Sequence, residues 1–203
     1  MSRIVPWSVG VLLASMLAAQ TPPLRRGVSV EMPVTTNAVA MPDADLQGSL
    51  LVAVTRDGSA FLSIDRETPA QLSVRVRAQL ASDPGKRVYF KADARTPYSS
   101  VAGVLDALRT AGVNAPILLT SQPNQTNARY VPPVGLEVKL PPTPEPALEV
   151  TLPASVAELR QHARRDQPVV LEADGAMPFG EVVQTIDEYR GVGAEVFLAT
   201  RAN

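Results

Sequence analysis

Carboxylates are the most repeated chemistry in the chain. Asp93 stands in "KADARTPY", and Asp174, 81 positions later, stands in "EADGAMPF". A carboxylate between a strand and a helix can hold a polar ligand, or it can accept backbone N–H groups of the turn it begins. Neither aspartate has an acid or base partner close by in sequence, so the turn role is expected for both. Asp106 and Arg109 are three apart on a helix face, as are Asp187 and Arg190. Each pair predicts an exposed ion pair worth about 0.3 kcal/mol. The single histidine, His162, lies among charges in "ELRQHARRD". One imidazole without partners reads as solvated surface. Cysteine is absent, which rules out disulfides and thiolate zinc sites. The chain has no phosphate loop, nucleophile elbow or metal-ligand cluster. No catalytic, cofactor-binding or metal residue is assigned, and an enzyme is not expected.

Composition narrows the classes further. A net charge of −1 gives no field to recruit nucleic acid. Only 4% of residues are aromatic and 19 are proline, which suits a small, loop-interrupted protein. "NQT" at 124–126 matches a glycosylation sequon, a weak and host-dependent signal.

The elements that must place these residues repeat. With Asp93 set on Asp174, positions Pro97, Tyr98, Val101, Leu105, Asp106, Leu108, Arg109 and Gly112 fall on Pro178, Phe179, Val182, Ile186, Asp187, Tyr189, Arg190 and Gly193. Tyr98, Val101, Leu105 and Leu108 step by three and four, one face of an α-helix. Gly112 and Gly193 end the helices. Thr96 could cap the first helix; Met177 cannot cap the second, which should start less firmly. Tyr98 and Phe179 read as core. β-prone runs flank each helix, so each copy predicts a strand-helix-strand unit with parallel strands. Ahead of the first copy, Asp57-Gly58 predicts a hairpin, and "ETPAQLSVRVRAQLASDPG" a helix from Pro69 to Ser82. "SVAELRQHARRD" is its counterpart in the second half. A third phrase recurs as "GVSVEMP" (27–33), "GLEVKLP" (135–141) and "ALEVTLP" (147–153). These alternate and stop at proline, as short edge strands do. Val28, Val30 and Met32 form the candidate strand for a partner, against the alternative of ordinary internal pairing.

The chain opens on "MSRIVPWSVGVLLASMLAAQTPPLRRG", uncharged from Ile4 to Leu24. About 20 apolar residues cross a bilayer. Candidate cleavage sites are poor, because Leu17 or Met16 would fill the position that wants a small residue. An uncleaved anchor is expected over residues 1–24, with the rest exported.

The anchor, "GVSVEMP", the Asp-Gly hairpin and "VYFKADARTPYSSVAGVLDALRTAGV" together resemble the ExbD/TolR family of biopolymer transport proteins. The most specific part is A-D-x-x-x-P-Y-x-x-V with its downstream D-x-x-R-x-x-G. The resemblance covers Ile4 to about Ser121, and the second half resembles the same outer domain without its hairpin. It implies an α+β fold: a single membrane helix, then two tandem small domains with helices packed on a mixed sheet. The expected division is an anchor (1–24), a first domain (25–122), a Pro/Asn/Gln linker (123–134) and a shortened second domain (135–203). The resemblance also implies a bacterial inner-membrane protein, single-pass, with its bulk in the periplasm and no cofactor. Its implied partners are an ExbB/TolQ-type polytopic protein, a twin chain as homodimer, and a TonB-like or cell-wall component. In the family an Asp three residues after a Pro in the membrane helix is taken to carry the proton. Here Val9 stands at that spacing from Pro6, and no acid precedes Glu31. An intramembrane carboxylate costs about 3 kcal/mol and is kept only for function. The resemblance therefore implies an accessory subunit that does not itself conduct protons. The alternative is an exported envelope-binding module, built from a duplicated fold and working without a motor.

Overall fold

The computed structural model describes residues 27–46, 48–123, 132–140, 148–152 and 168–200. The expected anchor with Val9, the sequon, His162 and the helix expected at "SVAELRQHARRD" lie outside the described residues.

Seven strands form one sheet in the order β1-β7-β6-β5-β2-β3-β4. In chain order these are β1 (Val39–Ala40), β2 (Leu50–Val54), β3 (Ala60–Leu62), β4 (Asp65–Glu67), β5 (Val88–Ala92), β6 (Ile117–Thr120) and β7 (Val134–Glu137). The hairpin forms as expected between β2 and β3. Gly58 takes φ +80°, which suits a residue without a Cβ. β4 was not anticipated. It is short and charged, and it follows a turn at Ser63 (φ +62°) that carries no glycine to signal it.

Helix α1 (Pro69–Ser82) follows the expected bounds. Thr68 caps it, with Thr68 and Gln71 bonding reciprocally and proline in the first turn. β5, helix α2 (Tyr98–Thr110) and β6 make the first strand-helix-strand unit, and β5 and β6 are parallel. β9 (Val169–Ala173), helix α3 (Phe179–Gly191) and β10 (Val196–Leu198) make the second, again with parallel strands. β8 (Leu148–Leu152) pairs parallel with β9 at the edge of a three-stranded sheet. Gly112 and Gly193 take φ +97° and +82° at the helix ends, as expected.

Strands β2, β5 and β6 are buried on both faces, which is why they read as continuous apolar runs. One face of the sheet carries Leu50, Val52, Val54 and Phe90 into a core with Leu72 and Val76 of α1 and Val101, Leu105 and Leu108 of α2. That core runs without a break into Phe179, Val182, Ile186 and Tyr189 of α3. The other face carries Leu51, Tyr89, Ile117 and Leu119, against which Ala44, Met32 and Met41 pack.

"GLEVKLP" is not an edge strand. β7 runs antiparallel to β6 on one side and to β1 on the other. Its continuation still bonds the β6 side, through Val138 N to Pro116 O (3.3 Å) and Leu140 N to Asn114 O (2.7 Å). On its other side Lys139 N donates to Val196 O (3.0 Å), and Leu198 N donates to Lys139 O (2.9 Å). The alternation in this phrase reflects a strand with neighbours on both sides, so the two sheets meet along it.

Candidate functional site

Asp93 ends β5 and is nearly buried. Its carboxylate accepts Arg95 N (3.1 Å), as the turn role predicts. It also accepts Arg95 Nε and Nη2, both at 2.9 Å. Arg95 is thus the basic partner overlooked in sequence, only two residues away. The same guanidinium reaches Glu31 Oε2 at 3.0 Å, and Ala94 N donates to Glu31 O at 2.8 Å. The Arg95 hydrogen bonds hold the Asp93 carboxyl at about 2, below its ordinary 3.8. Asp93 therefore stays ionised and fully engaged, which leaves it no capacity to act as a proton carrier at neutral pH. Asp174 is exposed and accepts Ala176 N at 2.8 Å, the expected turn bond.

The helix starts are corrected by the structure. Thr96 does not cap α2; its hydroxyl donates to Thr55 O at 3.1 Å. Neither α2 nor α3 has a side-chain cap. The free N–H groups of each helix instead reach carbonyls of the other unit. Tyr98 N donates to Met177 O (2.8 Å) and Ser99 N to Gly175 O (2.9 Å). Phe179 N donates to Thr96 O (2.9 Å) and Gly180 N to Ala94 O (2.8 Å). Met177 at the second start is therefore no handicap, since backbone supplies the acceptors. Tyr98 and Phe179 are buried, as expected of core residues. The Tyr98 hydroxyl donates to Ala199 O, and burial raises its pKa.

The two helix pairs of opposite charge differ. Asp106 and Arg109 form the expected pair at 2.6 Å. Asp187 does not pair with Arg190. It is buried, and its carboxylate accepts Thr36 N (2.8 Å), Thr36 Oγ1 (3.0 Å) and Asn37 N (2.8 Å). Arg190 turns away to donate to Glu137 O at 2.7 Å. A segment 150 residues upstream outcompetes the neighbour on the same helix, because it offers three donors.

Val28, Val30 and Met32 lie on a stretch that forms no strand ladder among the described residues. All three are half-buried, and Met32 rests on the Leu51–Tyr89 face. A cleft of about 560 Å3 opens at the far end of α1 and α2. Arg77, Lys86 and Arg87 line it, with Glu137 opposite and Val88, Val113 and Ile117 at its apolar wall. Among the described residues no group of His, Cys, Asp or Glu is placed to hold a metal ion.

The sequence matches the family model described as Biopolymer transport protein ExbD/TolR over residues 9–123. The chain belongs to the ExbD/TolR family. The match takes in the "KADARTPY" corner and the first unit and stops before β7, so the second unit lies beyond it. The chain is also similar to the Tol-Pal system protein TolR of Pseudomonas aeruginosa. The two are 26% identical over 133 residues, which cover 60% of this chain and 90% of that protein. ExbD/TolR proteins are non-enzymatic accessory proteins of envelope transport. They are anchored in the inner membrane with a periplasmic domain, and they work with TolQ/ExbB-type membrane partners. Among the described residues no helix is long and apolar enough to cross a membrane.

Proposed function

We propose that this ExbD/TolR protein is an accessory subunit of envelope transport, held in the inner membrane by residues 1–24, with two tandem copies of the outer fold in the periplasm. The family match from residue 9, which begins inside the apolar segment and runs through the first unit, carries this reading. With Val9 where the family places its carboxylate, the subunit leaves proton conduction to its companions. Those companions are a polytopic ExbB/TolQ-type protein in the membrane and a TonB-like or cell-wall component outside it. A twin chain can add through the extended stretch of Val28, Val30 and Met32. The test is to express the tagged full chain, separate soluble and membrane fractions, extract with detergent and identify what co-purifies. A membrane-bound chain with a polytopic companion is expected. Quantitative recovery in a soluble periplasmic extract overturns the reading.

The missing carboxylate also favours a second reading, an exported module that binds the envelope without a motor. On that reading the same purification brings down cell-wall fragments and no polytopic protein.

A further inference from the structure

The pairing of the two turns has a symmetry of its own. Tyr98 and Phe179 are 81 positions apart, and so are Thr96 and Met177, Ser99 and Gly180, and Ala94 and Gly175. Adding 81 to the first unit's residues therefore turns Tyr98 N to Met177 O into Phe179 N to Thr96 O with the roles exchanged. It does the same for Ser99 N to Gly175 O and Gly180 N to Ala94 O. Pro97 and Pro178, the same position in the two units, face each other in an antiparallel bridge, as residues on a two-fold axis must. The symmetry is confined to the turns. Further out Asp106 accepts the hydroxyl of Thr200 (3.2 Å) while Asp187 accepts that of Thr36 (3.0 Å), which lies upstream of the first unit and is not the equivalent of Thr200.

Such a surface is isologous: what one unit offers is what it needs. Both helix starts lack a side-chain cap, so an isolated unit would leave N–H donors unmet at this face. We propose that the second unit is an intramolecular replacement for a second subunit, and that it closes the Ala94–Ser99 face to every other chain. A copy on the same chain meets its partner intramolecularly, with an advantage over any free chain that needs no new contact. Self-association of the whole protein must then use other surfaces. The proposal does not depend on how the chain is anchored.

The test uses the full chain, which contains no cysteine of its own. A Cβ on Gly180 would stand 3.1 Å from the Ala94 methyl, close to the spacing of about 3.5–4.5 Å that a disulfide takes. The double variant Ala94→Cys with Gly180→Cys, mildly oxidised, should close a disulfide within one chain. It would run at the 21.6 kDa of a single chain on a non-reducing gel, with its mobility shifted back by reductant. The symmetry-related pair, Ser99→Cys with Gly175→Cys, gives an independent reading should the first pair disturb folding. Two differently tagged chains, one with Ala94→Cys and one with Gly180→Cys, should yield no mixed dimer when co-expressed. Covalent dimers as the main product, from either double variant or from the mixed chains, would show that the face joins separate chains and overturn the proposal. Failure of both double variants to form any disulfide would overturn it as well.

Discussion

Phe90 of β5 and Phe179 of α3 meet edge to face, with ring centroids 6.0 Å apart and planes at 84°. A ring from the second unit therefore completes the core of the first. Phe179→Ala should cost about 3–5 kcal/mol, and the loss should appear in a single cooperative transition followed by circular dichroism. Combined with Phe90→Leu, it should depart from additivity by about 0.5–1.5 kcal/mol. Strict additivity would mean that the rings do not sense each other.

Asp187 and Asp106 occupy equivalent positions and should behave differently. Asp187→Ala strips the acceptor from two backbone N–H groups and a hydroxyl, a cost of about 1–3 kcal/mol. Asp106→Ala breaks a half-exposed ion pair and a long bond from the Thr200 hydroxyl, and should cost less, about 1 kcal/mol or below. Denaturant midpoints compare them directly, and equal shifts would contradict the geometry.

Acid should expose the Asp93 corner. Its carboxyl is held at about 2, below the ordinary 3.8, so it contributes stability that is present above about pH 4 and lost as the pH falls towards 2. Asp57 is depressed to about 2 as well, chiefly by the Thr55 hydroxyl, and titrates in the same window. Asp93→Asn should therefore flatten part of the fall in stability between pH 4 and 2, and leave the Asp57 share in place. Unfolding curves at stepped pH read this out; an unchanged slope would remove Asp93 from the account.

Two glycines should respond with opposite signs to alanine. A Cβ at Gly135 would lie 2.7 Å from Ile117 Cγ2 and 3.1 Å from Leu118 O, inside a packed strand. Gly135→Ala should destabilise by about 1–3 kcal/mol. Gly103, exposed on α2, has nothing within 4 Å of such a Cβ. Gly103→Ala should stabilise by about 0.5–1 kcal/mol, as expected for a helix interior. Thermal melts of the two variants moving in the same direction would refute the contrast.

The parts that were legible in sequence rest on local rules. Helix α1 follows from "ETPAQLSVRVRAQLASDPG", the hairpin from Asp57-Gly58, and the two helix ends from Gly112 and Gly193. The core faces follow from the three-and-four spacing. What escaped depends on distance along the chain. Nothing near Asp187 indicates that residues 36–37 will supply its donors, and nothing near Thr96 says that its carbonyl, not its hydroxyl, meets a helix start. For β7 the alternative of ordinary internal pairing held; sequence could not choose, because alternation looks alike in a strand at an edge and in one flanked on both sides. The Asp93–Arg95 pair was close enough to see: the expectation that neither aspartate has a basic neighbour holds at Asp174, which is followed two residues on by Ala176, and fails at Asp93, which is followed two residues on by Arg95.

When two identical gene products clasp each other, every mutation strikes both sides of the seam at once. Here Thr96 answers to Met177, Tyr98 to Phe179 and Ser99 to Gly180, so one codon changes one side alone. Either half is free to drift or be recruited to a new task while the other keeps the clasp, and no cell carrying two alleles can assemble a mismatched pair across it.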